Sequence, residues 1–92
     1  MEKNLALQLE DIMNESNVTG VICCDLNGLM LAVRGVATSE HAGAVSSIAS
    51  QASKLFPANS EDSPIICLES DKSNLLIRKQ DKVVVGIFKN KI

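Results

Sequence analysis

Val18-Thr19-Gly20-Val21-Ile22-Cys23-Cys24-Asp25-Leu26-Asn27-Gly28-Leu29 reads as a strand running into a tight turn. The run up to Cys24 carries β-branched Val18, Thr19, Val21 and Ile22, side chains that suit a pleated, half-buried surface. In the tetrad Asp25-Leu26-Asn27-Gly28 the Asp starts a turn and the closing Gly tolerates positive φ. A second apolar run, Leu29 to Val36, follows at once, so the stretch predicts a β-hairpin.

Upstream, Leu5, Leu9, Ile12 and Met13 recur at helical spacing within Lys3–Ser16, which predicts an amphipathic first helix ended by Asn17. Downstream, Thr38 or Ser39 is placed to cap a second helix that runs to Phe56, where Pro57 stops it. His41, Val45, Ile48, Ala52 and Leu55 share one face of that helix. Residues 57–63 read as a polar, acidic loop. Three strands follow, Pro64–Ser70, Asn74–Lys79 and Lys82–Lys89, joined by turns at Asp71-Lys72-Ser73 and Gln80-Asp81.

The order is therefore αββαβββ, an α+β domain over residues 1–92. Short turns make strands one and two neighbours and strands three to five a meander. Joining the two groups through strands one and five gives a five-stranded antiparallel sheet of order 2-1-5-4-3, with strands two and three at its edges. In the last strand Val83, Val85 and Ile87 alternate with Val84 and Phe88, so both sheet faces are apolar and one helix is expected on each.

Composition excludes several classes. The 92 residues carry 9 basic and 11 acidic side chains, with two Phe and neither Tyr nor Trp. Such a chain has no stacking platform and little counterion-release energy for nucleic acid. No stretch reaches the ~18 apolar residues of a membrane span. Glu2, Glu10 and Asp11 interrupt any signal-peptide pattern, which predicts an intracellular protein. Glu2 and the closing Lys89-Asn90-Lys91-Ile92 offer no acylation or prenylation motif, so no direct membrane binding is expected. A chain of this mass buries only about 63% of its unfolded surface, a level at which a partner contributes appreciably to stability.

The residues that carry chemistry do not converge. Gly20, Gly28, Gly35, Gly43 and Gly86 form no phosphate loop or dinucleotide fingerprint. His41, the one histidine, stands beside Ser39 and Glu40 at a helix start, where neighbouring side chains diverge. Cys23, Cys24 and Cys67 have no metal-ligand spacing and read as reduced core thiols. Asp25 and Asp71 each sit where a turn wants Asp. No catalytic residue, cofactor or metal is expected.

Two features stand out. Ala42, Ser46, Ala49 and Ser53 form a stripe of small residues on the second helix, which either packs tightly on its own sheet or admits another helix. Charge is also segregated: three basic and ten acidic side chains up to Asp71, then six basic and one acidic from Lys72. The basic hairpin reads as solvated gatekeepers or as a dock for an acidic partner. Ile65, Ile66, Cys67 and Leu68 form an apolar edge strand, a template for antiparallel pairing. With the small stripe, it is the expected dimer interface.

The Gly20–Leu29 strand and Asp-x-x-Gly turn resemble the roadblock (dynein light chain) family. Ser39-Glu40-His41-Ala42-Gly43, Gln51-Ala52-Ser53-Lys54-Leu55, Cys67-Leu68-Glu69-Ser70-Asp71 and Asn74-Leu75-Leu76-Ile77-Arg78-Lys79 narrow the resemblance to the short Ragulator subunits. It covers about Leu5 to Lys89 and implies a non-catalytic scaffold. The implied partners are another roadblock subunit, with a second copy of the chain as the alternative, a lipid-anchored Ragulator subunit, and through the assembly the Rag GTPases. The implied setting is the cytosolic surface of late endosomes and lysosomes, in amino-acid-dependent recruitment of TOR complex 1.

Most roadblock domains carry a third helix after strand five, and this chain stops at Ile92 without one. One helix is about 10 Å wide against about 20 Å for five strands, so the face bearing the first helix is expected to lie half open. Helical segments of the lipid-anchored, wrapping subunit are expected there, with Leu75, Ile77, Val83, Val85 and Ile87 as the candidate face. The alternative function is regulation of a small GTPase, with Arg34 as the finger, or dynein cargo adaptation.

Overall fold

The computed structural model describes residues 2–56 and 64–91, with the side chains of residues 2–6 excepted. The predicted loop of residues 57–63 and the predicted contribution of Leu5 to the helix stripe lie outside the described residues. Seven elements follow in the expected order: α1 (Glu2–Met13), β1 (Val18–Asp25), β2 (Met30–Gly35), α2 (His41–Ser53), β3 (Ile65–Glu69), β4 (Ser73–Gln80) and β5 (Val83–Asn90). The strands form one sheet of order β2-β1-β5-β4-β3, antiparallel throughout.

The first hairpin closes as its sequence requires. Asp25 Oδ1 accepts the N–H groups of Asn27 and Leu29, each at 2.9 Å, and Gly28 takes a φ of +90°. Beyond β2, Gly35 takes a φ of +67°, and a Cβ there would stand 2.1 Å from the Thr19 carbonyl oxygen. Only a residue without a Cβ fits this crossing. α1 ends at Met13, the last residue of the apolar stripe and short of the predicted Ser16, and Asn17 reverses the chain with a φ of +70°.

Each face of the sheet carries one helix and one core. On one side α2 buries Ala42, Val45 and Ala49 against Ile22, Cys24, Ile77 and Val84. On the other α1 sets Leu9, Ile12 and Met13 on Val21, Cys23, Ala32, Val83 and Val85. The residues α2 turns inward match the predicted face in part: Val45 is buried and Ile48 packs against the same core. Leu55 is 81% exposed beyond the helix end, whereas Ala42, Ser46 and Ala49 are buried. The sheet already supplies large aliphatic side chains there, and small residues let the helix axis come close.

The cap of α2 differs as well. No Thr38 or Ser39 side chain caps the helix. His41 Nδ1 accepts the Thr38 N–H at 3.0 Å, and the His41 N–H returns a bond of 3.0 Å to the Thr38 carbonyl. The ring also rests 5.1 Å from that of Phe88.

Candidate protein-interaction surfaces

The two edges of the sheet differ in how they meet solvent. β2 is interrupted: its register with β1 shifts between Cys23 and Cys24, and it ends at the left-handed Gly35. Such a bulge and bend discourage further strand pairing. β3 has no such guard. Ile65–Glu69 pairs residue for residue with Asn74–Arg78 without a shift, leaving its other side unpaired among the described residues.

The side chains of β3 are apolar on both faces. Ile65 is 64% exposed and Leu68 44%, while Ile66 packs on the α2-side core. Cys67 is exposed, which corrects the core-thiol expectation for this residue. A strand with one neighbour and no helix above its outer face does not enclose its central side chain. Cys23 and Cys24 are buried as expected, and Cys24 Sγ donates to the Ala42 carbonyl at 3.6 Å. Burial raises both thiol pKa values, Cys24 to about 11 with help from Cys23 and Asp25.

The small stripe of α2 belongs inside. Ala42 and Ala49 lie in the core, and the Ser46 hydroxyl donates to the carbonyls of Asp25 and Leu26 at 3.2 and 2.9 Å, clamping the first turn to the helix. Ser53 is half-buried and donates to Ala49 O at 3.0 Å. Ala42, Ser46 and Ala49 thus pack on their own sheet and offer nothing to a partner helix. The outward side of α2 instead presents Gly43, Ala44, Ser47 and Gln51. Small outward residues gave no hydrophobic signal, so periodicity overlooked them.

The α1 side of the sheet is covered unequally. α1 lies over β1 and β2, away from β3 and β4. Beside it runs a groove of about 280 Å³, walled by Gln8, Leu9 and Ile12 and lined by Ile65, Leu76, Arg78, Gln80, Val85 and Ile87. Val83, Val85 and Ile87 therefore stand on the predicted face. Leu75 and Ile77 do not: Ile77 is fully buried under α2 and Leu75 packs against the same core. With both faces apolar, the pattern did not fix the parity of β4, and Leu76 and Arg78 are the residues that face α1's side.

Most of the polar groups singled out in the sequence are engaged locally. Arg34 Nε donates to Glu10 Oε1 at 2.8 Å and Nη1 to the Val33 carbonyl at 2.7 Å, which ties the guanidinium to the fold at two of its nitrogens. Among the described residues no group of three or more His, Cys, Asp or Glu is placed to hold a metal ion. A pocket of about 160 Å³ beside α2 is lined by Ser46, Ser50, Ser53 and Lys79, but two of its hydroxyls are committed to backbone carbonyls. No described helix is long and apolar enough to cross a membrane.

Residues 1–89 match the family described as Ragulator complex protein LAMTOR5. A Nematostella vectensis protein called a Ragulator complex protein LAMTOR5 homolog is 47% identical over 89 residues, covering 97% of each chain. Ragulator complex protein LAMTOR5 of Xenopus laevis is 38% identical over 89 residues with the same coverage. Among solved structures, Myxococcus xanthus MglB superposes with a TM-score of 0.84 at 17% identity, over 98% of this chain and 72% of its own. A roadblock/LC7 domain from Streptomyces avermitilis gives 0.76 at 15% identity, over 91% of this chain and 76% of its own. The fold is thus the roadblock/LC7 fold.

Proposed function

Since the chain belongs to the Ragulator complex protein LAMTOR5 family, we propose that it is a non-catalytic scaffold subunit of Ragulator. In that role it pairs with another roadblock subunit. The assembly supports Rag GTPases and the amino-acid-dependent recruitment and activation of TOR complex 1 on the cytosolic surface of lysosomes. The observation that carries this reading is the family match along nearly the whole chain, on a sheet whose β3 edge has one neighbour among the described residues.

The unguarded β3 edge supports the pairing. Antiparallel addition of a second β3 continues the sheet across two subunits, with Ile65, Ile66, Cys67 and Leu68 at the seam and the outer side of α2 beside it. The groove beside α1 supports the second contact. Helical segments of the lipid-anchored subunit cover Leu76, Ile87 and the part of Val85 that α1 leaves exposed, and this partner supplies the membrane attachment.

Affinity purification of the tagged chain from cells, with identification of the proteins recovered, tests the assignment. A second roadblock subunit and a lipid-anchored subunit are expected together. Recovery of the chain with neither overturns it. Hydrogen exchange on the same assembly tests the covered face: Ser73–Asn90 must gain protection when the lipid-anchored subunit joins. The dimer alone is expected neither to hydrolyse GTP nor to accelerate hydrolysis by Rag-type GTPases. An acceleration lost in Arg34→Ala would favour the GTPase-regulator reading.

A further inference from the structure

The open half of the α1 side is not uniformly apolar. Alternation along β4 places Leu76, Arg78 and Gln80 in one line on this face, and Arg78 stands between Ile65 of β3 and Val85 of β5. The ion pairs of the described residues are Arg34–Glu10 and Lys91–Glu69, so Arg78 has no carboxylate partner among them. Among the described residues the groove thus carries a guanidinium without a carboxylate partner, set between aliphatic neighbours.

We propose that Arg78 selects and orients the occupant of this groove, an acidic amphipathic helix of a partner chain whose carboxylate pairs with the Arg78 guanidinium. The proposal rests on the covered-face reading above and adds the chemistry of the contact. The floor of the groove is a sheet face, where backbone N–H and C=O groups are already paired along the sheet. An occupant gains only side-chain contacts there and must satisfy its own backbone, as a helix does. The width fits: β3, β4 and β5 span about 10 Å, one helix diameter. An aliphatic stripe on the helix meets Leu76, Val85 and Ile87. Seating it removes water from around Arg78, so an occupant without an acid at that point leaves a desolvated charge unpaired and is rejected. A carboxylate accepts two parallel N–H bonds from the planar fork, which fixes the direction of the helix as well.

The test uses the complex of the full chain with its roadblock partner and the lipid-anchored subunit. Arg78→Glu is expected to lower recovery of the lipid-anchored subunit at least tenfold while the roadblock partner stays bound. Arg78→Lys is expected to retain it. Arg78→Gln keeps the stem without the charge, guards against a folding defect of the reversal, and is expected to fall between the two. In the Arg78→Lys complex a zero-length carbodiimide cross-link is expected from position 78 to an Asp or Glu of the lipid-anchored subunit. Unchanged recovery with Arg78→Glu, or a cross-link that joins position 78 to another chain, overturns the assignment to Arg78 while protection of β4 and β5 leaves the covered-face reading standing. Absence of that protection overturns both.

Discussion

Gly35 carries more of the fold than its size suggests. Its φ of +67° and the 2.1 Å approach of an added Cβ to the Thr19 carbonyl leave no room for alanine without moving the β1–β2 pair. Left-handed strain of about 1–2 kcal/mol, added to overpacking of about 1–3 kcal/mol, predicts that Gly35→Ala loses about 2–5 kcal/mol, read from the denaturant midpoint. The buried thiols make a second prediction. Cys24 titrates at about 11 in the fold, against 9.0 for an unperturbed thiol, and Cys23 is raised in the same direction. The unfolded chain therefore loses its thiol protons first. Stability due to these groups is intact below about pH 9 and falls as the pH rises towards 11, by at most about 1.4 kcal/mol per pH unit for each. Denaturant titrations between pH 8 and 11 should show this decline, and Cys24→Ala should flatten it.

At the scale of elements, the proposed pairing turns on β3. Proline at position 66 removes an N–H donor and fixes φ in the middle of a five-residue strand. Ile66→Pro is therefore expected to abolish dimers in sedimentation velocity while the far-ultraviolet dichroism of the remaining elements persists. A variant that still sediments as a dimer places the interface elsewhere. The elements themselves were legible because their punctuation is strong: the Asp25–Gly28 turn, Asn17 and the Asp81 turn with its φ of +59° each break a clear apolar run. The facing of α2 was legible only in part: Val45 and Ile48 lie inward as expected, but Ala42, Ser46 and Ala49, which periodicity counts as neutral, join them, and Leu55 stands in solvent. β4 failed for the opposite reason: Leu75, Leu76 and Ile77 are all apolar, so alternation had no phase to report. The expected hydroxyl cap of α2 is absent, and His41 instead ties the chain ahead of the helix through the Thr38 N–H.

For the molecule as a whole, membrane placement is the property most separable from the fold. The last turn of α1, Glu10-Asp11-Ile12-Met13, carries two acidic and no basic side chains, and no described helix is long and apolar enough to span a bilayer. An anionic vesicle should thus repel the first helix and meet the basic hairpin only through a few screened lysines. In vesicle sedimentation at physiological salt the isolated protein is expected to stay in the supernatant and to pellet with the lipidated partner. Partner-independent pelleting contradicts this.

The pairing of β1 with β5 also has a consequence in time. Val18 lies opposite Lys89 and Asp25 opposite Val83, so the central seam of the sheet joins stretches separated by nearly the whole chain. Contacts this distant in sequence close late and slow folding. On a ribosome the β1–β2 hairpin emerges long before its neighbour, with Ile22 and Cys24 bare until β5 has left the exit tunnel. Until then the nascent chain is an unfinished half-sheet, and its native core becomes available only once β5 has joined β1.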